Sequence, residues 1–170
     1  MDAFVPYSIP IQGLKVGIHE YQFELDQKFF SLFDGSPVPD SAITYDVQMD
    51  KRPDMLLFDF QMKGSIHTEC DRCTAMIDLP LSTQRQLIVK FGEAEGETED
   101  EVVFIHRESS DFNVARYLYE FTVLALPLTN IYDCQSNANP PCNQEILGIL
   151  QKSAGAQESN SIWDSLKNLK

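Results

Sequence analysis

The feature that most constrains this chain is a strict two-residue alternation at its centre. Ile43, Tyr45, Val47 and Met49 share one parity, Lys51-Arg52-Pro53-Asp54 makes a turn, and Leu56, Phe58, Phe60 and Met62 share one parity again. Successive side chains of a strand point to opposite faces, so a period of two predicts half-buried strands joined as a hairpin. Gly64 permits a bend before Ile66, and a third strand is expected after a turn at Cys70–Cys73. Leu81–Phe91 supplies a fourth, with Leu81, Leu87, Val89 and Phe91 on one parity. Strands adjacent in sequence tend to be adjacent in space. An antiparallel meander is therefore expected, one that could close into a barrel.

The flanks add two further strands and several helices. Phe4–Ile11 is apolar, and Pro6 and Pro10 suit it to an edge; Val16–Leu25 alternates, with His19, Tyr21, Phe23 and Leu25 on one parity. Asp26 is placed to cap a short helix that runs through Phe33 and stops at Asp34-Gly35. Glu93–Glu101 holds five Glu and one Asp in nine residues. Such a run is expected to be a mobile loop, after which Val102–Ile105 rejoins the sheet. Beyond Asp111 the period becomes helical. Val114, Leu118, Phe121 and Ala125 form one stripe, Asn113 or Asp111 can cap the start, and Pro127 closes the end. Leu118 and Phe121 are expected to be buried. A loop follows, then a short helix near Ile146–Leu150, a polar linker over Ser153–Asn160, and a last short helix from Ser161 that carries Trp163. The expected class is α+β: an antiparallel meander with one main amphipathic helix packed on it and short C-terminal helices. Residues 1–152 form one domain in this reading, and 153–170 a linker with a short helix.

Composition narrows the function. The chain has 170 residues, 13 basic against 26 acidic side chains and a formal net charge of −13. A negative field of this size repels nucleic acid and attracts basic partners. No stretch approaches the roughly 20 apolar residues of a membrane span. The N-terminus lacks the basic start and apolar middle of a secretory signal. A cytoplasmic location is expected. There is no Walker loop, G-x-S-x-G, H-E-x-x-H or G-x-G-x-x-G. Paired carboxylates are evident only in the acidic run, and His19, His67 and His106 belong to no motif, so a binding protein without enzymatic activity or small-molecule substrate is expected.

The four cysteines are the remaining chemistry. Cys70-Asp71-Arg72-Cys73 is a C-x-x-C turn between strands, and Cys134 and Cys142 form a wider second pair. Four thiolates could complete a tetrahedral structural zinc site that ties the later loop to the sheet, with His67 as a spare ligand. Plain reduced thiols remain open, as does a redox couple, although redox pairs sit at a helix N-terminus whereas the period here is two on both sides. A reducing compartment disfavours disulfides.

Gly64-Ser65-Ile66-His67-Thr68-Glu69-Cys70-Asp71-Arg72-Cys73 resembles the C-x-R-C signature of the YceD-like family of large ribosomal RNA subunit accumulation proteins. Leu79-Pro80-Leu81, the helix from Asp111 through Leu124-Ala125-Leu126-Pro127, and the tail Ile162-Trp163-Asp164-Ser165-Leu166-Lys167-Asn168-Leu169 are similar to the family's later elements, in order. The resemblance covers roughly residues 40–170. The wide spacing of Cys134 and Cys142 departs from the compact second cluster of many relatives. The resemblance implies a role in accumulating large-subunit ribosomal RNA and in ribosome assembly. A ribosomal protein or assembly factor of basic character is the expected partner. Direct RNA contact would have to use dispersed bases such as Lys63, Arg72, Arg85 and Lys90. A zinc-stabilised adaptor domain without a ribosomal role, nucleic-acid binding or not, is the alternative.

Overall fold

The computed structural model describes residues 3–92, 96–97, 102–134 and 139–155. The chain divides into two compact units: Met1–Thr68 with Asp78–Leu128, and Glu69–Ile77 with Thr129–Lys170.

The first unit is built on a six-stranded sheet. Its strands are β2 (Gly17–Leu25), β3 (Asp40–Lys51), β4 (Met55–Glu69), β5 (Met76–Phe91), β6 (Gly96–Glu97) and β7 (Val102–Ile105), ordered β2-β3-β4-β5-β7-β6. The alternation behaves as the sequence requires: Ile43, Tyr45, Val47, Met49, Leu56, Phe58, Phe60 and Met62 are all buried. β3 and β4 run antiparallel from Asp40↔His67 to Lys51↔Leu56. The hairpin between them closes with the Arg52 N–H donating to the Met55 carbonyl at 2.9 Å. Gly64 does more than permit a bend. It faces Ile43 across the pair, and a Cβ there would collide with the Ala42 carbonyl oxygen and sit 2.8 Å from the Ile43 Cα.

Three expectations about the sheet need correction. The sheet is open, with a linear strand order, and does not close into a barrel. The strand after the cysteine turn and the one from Leu81 are a single strand, β5, because its inward parity runs unbroken from Ile77 through Leu81 to Val89. β7 pairs with β5 in parallel, Ile88↔Val102 to Phe91↔Ile105. In the acidic run, Gly96 and Glu97 form β6, antiparallel to β7. Strand pairing uses only backbone groups, so acidic side chains do not forbid it. The remainder of that run lies outside the described residues.

The N-terminal segment is only partly a strand. Val5–Tyr7 is one 3-10 turn, and β1 (Ser8–Pro10) pairs with β8 (Asp111–Asn113) in a separate two-stranded sheet. Asp26 caps α1 (Gln27–Phe30), its carboxylate accepting from the Lys28 and Phe29 N–H groups at 3.0 and 3.2 Å. The main helix α2 (Ala115–Ala125) begins where Asn113 Oδ1 accepts from the Ala115 N–H at 3.0 Å. It ends as Leu126, the residue before Pro127, turns extended.

The buried stripe of α2 is rotated from the expected one. Val114, Ala115, Tyr117, Leu118 and Thr122 are buried, while Phe121 is only partly so, with its ring edge-on to Phe60 at 5.2 Å. The reason is a polar contact inside the core. Thr122 Oγ1 donates to the Leu118 carbonyl at 2.8 Å and lies 3.0 Å from the Tyr45 hydroxyl. Thus both hydroxyls are satisfied and tie the helix to β3. Phe33 stacks on Tyr119 at 4.0 Å, joining the segment after α1 to the same helix.

Burial pushes the Tyr45 phenol up to about 12, against the smaller opposing effects of the Thr122 hydrogen bond and the Arg85 charge. A phenol raised above its ordinary value of about 10 contributes stability below that pH and loses it as pH climbs through the folded value. Between about pH 10 and pH 12 the native protein should therefore lose stability faster than Tyr45→Phe, by up to roughly 2 kcal/mol in urea unfolding. Parallel stability curves for the two proteins would contradict this packing.

Candidate functional site

All four cysteines fall in the second unit. Cys70 and Cys73 bracket a tight turn in which the Thr74 N–H donates to the Cys70 carbonyl and the Cys70 N–H donates to the Ala75 carbonyl, at 2.9 and 2.8 Å. Thr74 has a φ of 55°, a left-handed conformation that costs a β-branched residue energy. Both sulfur-bearing residues are fully buried.

Asp71 and Arg72, the two residues inside the motif, hold the segment that carries the second pair. The Asp71 N–H donates to the Asn130 carbonyl at 2.8 Å, and the Asn130 N–H returns a bond to the Asp71 carboxylate at 2.6 Å. The Arg72 guanidinium donates to the Tyr132 carbonyl at 3.4 Å and reaches Cys134 Sγ at 2.7 Å. Cys70 is bound from the same segment. Burial pushes its thiol up. Backbone hydrogen bonds from Tyr132, Arg72 and Cys73, with one from the Cys73 side chain, outweigh that and bring it below its ordinary value. Arg72 thus touches both cysteine pairs, through its backbone N–H at Cys70 and its guanidinium at Cys134.

The oxidation state differs from the expectation of four reduced thiols. Cys134 and Cys142, eight positions apart with Cα atoms 6.6 Å from each other, are joined as a disulfide, and Cys70 and Cys73 are free. The Asn139-Pro140-Pro141 stretch before Cys142 leads into α3 (Gln144–Gly155), capped by Asn143 Oδ1, which accepts from the Glu145 N–H at 3.1 Å. This helix is longer than the one expected near Ile146–Leu150 and takes in the start of the expected linker. The expected last helix lies outside the described residues.

A disulfide has no thiolate to offer a metal, so in this state only Cys70 and Cys73 could ligate one. Among the described residues, no group of three or more His, Cys, Asp or Glu side chains is gathered so as to hold a metal ion. The backbone N–H groups aimed at Cys70 favour its thiolate. The expected spare ligand, His67, is engaged elsewhere: in the first unit, its Nδ1 lies 2.8 Å from the Asp78 carboxylate.

Of the three bases in the first unit considered for RNA contact, Lys63 and Lys90 share the outward face of the sheet and Arg85 does not. Arg72 belongs to the second unit and is committed to Tyr132 and Cys134. Lys63 and Lys90 lie on the outward parity of β4 and β5, whereas Arg85 lies on the inward parity of β5, where its charge acts on Tyr45.

Sequence reasoning looked for carboxylates in the acidic run and missed those on the sheet. Glu20, Asp46 and Asp59 occupy the outward positions of β2, β3 and β4, in register with the glutamines Gln48 and Gln61. The signal was present in the alternation itself: Asp46, Gln48, Asp59 and Gln61 stand between the buried residues of β3 and β4.

The protein these features define is a sheet-based α+β protein carrying a separate cysteine unit. It belongs to the family of the large ribosomal RNA subunit accumulation protein YceD, whose family model matches residues 58–170. The match takes in both cysteine pairs and α2, and leaves β1 to β3 outside it. No curated protein and no solved structure matches the chain. Among the described residues, no helix is long and apolar enough to cross a membrane.

Proposed function

We propose that the chain is a non-enzymatic cytoplasmic factor supporting accumulation of large-subunit ribosomal RNA, and that it acts by holding a basic ribosomal protein or assembly factor. The family supplies the ribosomal context. Charge carries the choice of partner: a net charge of −13, with only two of the candidate RNA-binding bases, Lys63 and Lys90, on the outward face of the sheet, suits a basic protein better than a phosphate backbone. The cysteine unit is a structural element in this reading, held by Asp71 and Arg72 and closed by zinc on four thiolates when reduced. It also favours a second reading, a zinc-stabilised adaptor without a ribosomal role, which predicts no ribosomal partner at all.

Reduced protein purified without chelator should contain about one zinc per chain by elemental analysis. Oxidised protein, unfolded without reductant, should titrate two thiols, those of Cys70 and Cys73, and retain no zinc. A reduced protein free of zinc would remove the metal from this account.

The partner reading predicts that capture of basic ribosomal proteins weakens as salt rises. Changing Glu95, Glu97, Glu99 and Glu101 to Gln should slow that capture with folding almost untouched. Direct RNA binding predicts the opposite pattern: the Gln variant binds ribosomal RNA more tightly, and Arg85→Ala with Lys90→Ala binds it less well. If the Gln variant gained RNA affinity and captured basic proteins as well as the native chain does, the partner reading would fail.

A further inference from the structure

The outward face of β2 to β5 carries Lys63 and Lys90, but neither stands within ion-pairing distance of its acidic side chains among the described residues. Asp50 pairs with Arg52 at 2.9 Å and Asp78 with His67 at 2.8 Å. Among the described residues Glu20, Glu24, Asp40, Asp46 and Asp59 have no Lys, Arg or His nitrogen within ion-pairing distance. Their neighbours are glutamines. Asp46 accepts from the Gln22 amide at 2.8 Å, and Glu20 from Gln48 at 3.5 Å. Asp59 accepts from Gln84 at 3.2 and 3.1 Å and from Gln86 at 3.3 Å. These amides come from adjacent strands. They hold each carboxylate in place without neutralising it, and the lone pairs they leave unused face solvent.

Two shallow troughs run between these groups. One, of about 520 Å³, is lined by Glu20, Gln22, Asp46, Gln48, Asp59 and Gln61. The other, of about 220 Å³, lies between Gln48, Asp50, Asp59 and Gln86, with Leu57 and Ile88 on its floor and rim. A guanidinium binds a carboxylate through two parallel N–H bonds and lays its methylene stem on apolar surface. A phosphate in either trough would meet carboxylates and neutral amides, and no lysine or arginine lines them.

We propose that this face docks an arginine- and lysine-rich segment of a protein, laid across the strands with its basic side chains on Glu20, Asp46 and Asp59. The proposal rests on the basic-partner reading above and gives it a location. Positions already fixed by amide bonds need little further ordering on binding, which favours affinity.

The test uses the full chain labelled with ¹⁵N and a short Arg-Gly repeat peptide at low ionic strength. The side-chain amide resonances of Gln22, Gln48, Gln84 and Gln86 should shift on titration. E20Q/D46N/D59N should weaken binding about tenfold, as loss of three exposed ion pairs implies. Shifts confined to Glu93–Glu101, or a triple variant that binds equally well, would overturn the face as the site while leaving a basic partner in place. No peptide binding anywhere would overturn both, and so would a single-stranded RNA oligonucleotide that shifts the same glutamine amides. Should the triple variant fail to fold, the shift map of the native chain decides alone.

Discussion

The register of β3 against β4 is the constraint on which the rest of the first unit depends. It pairs Tyr45 with Met62, Val47 with Phe60 and Met49 with Phe58, so the buried apolar side chains of both strands fall on one face. A slip by one residue would exchange the faces of one strand against the other, exposing its phenylalanines and burying its carboxylates. Gly64 guards the same register from the other end, since only a residue without Cβ fits against the Ala42 carbonyl. The helix α2 then reads the inward face through Tyr45 and Thr122. The outward face inherits Glu20, Asp46, Asp59 and their glutamines as a direct consequence. Core and acidic surface are two results of one alignment.

Much of this is legible in the sequence alone. A period of two over Ile43–Met62 marks strands plainly, and Asp26 and Asn113 are capping residues in the right places. What was not legible depends on contacts distant in sequence. Thr122 looks like a surface residue of α2 until Tyr45, 77 positions away, is seen to satisfy it, and this rotates the buried stripe away from Phe121. The parallel return of β7 beside β5 cannot be inferred from local pattern, because a strand of four residues carries no sign of its direction. Pro10 marked an edge correctly, but its partner, Asp111, lies about a hundred positions on.

The candidate site shows the same division. The C-x-x-C turn and the second cysteine pair were visible as chemistry, and their place in one unit agrees with the way Asp71 and Arg72 reach Asn130, Tyr132 and Cys134. The bond between Cys134 and Cys142 was not visible, since two cysteines eight positions apart can either meet or turn toward a shared metal. Both cysteine pairs lie within the residues matched by the model of the family of the large ribosomal RNA subunit accumulation protein YceD. The family model does not cover β2 and β3, which hold Glu20, Gln22, Asp46 and Gln48. The acidic face is thus argued from this chain's own residues.

The central claim is that a basic protein, and not RNA, is what this chain holds. Its most direct test is purification from cells at low salt, followed by ribonuclease treatment and quantitative mass spectrometry of what stays bound. The account predicts that basic ribosomal proteins or assembly factors stay with the chain after the RNA is digested, and leave as salt is raised. Release of every ribosomal component by ribonuclease alone would contradict it, because the chain would then be attached through RNA.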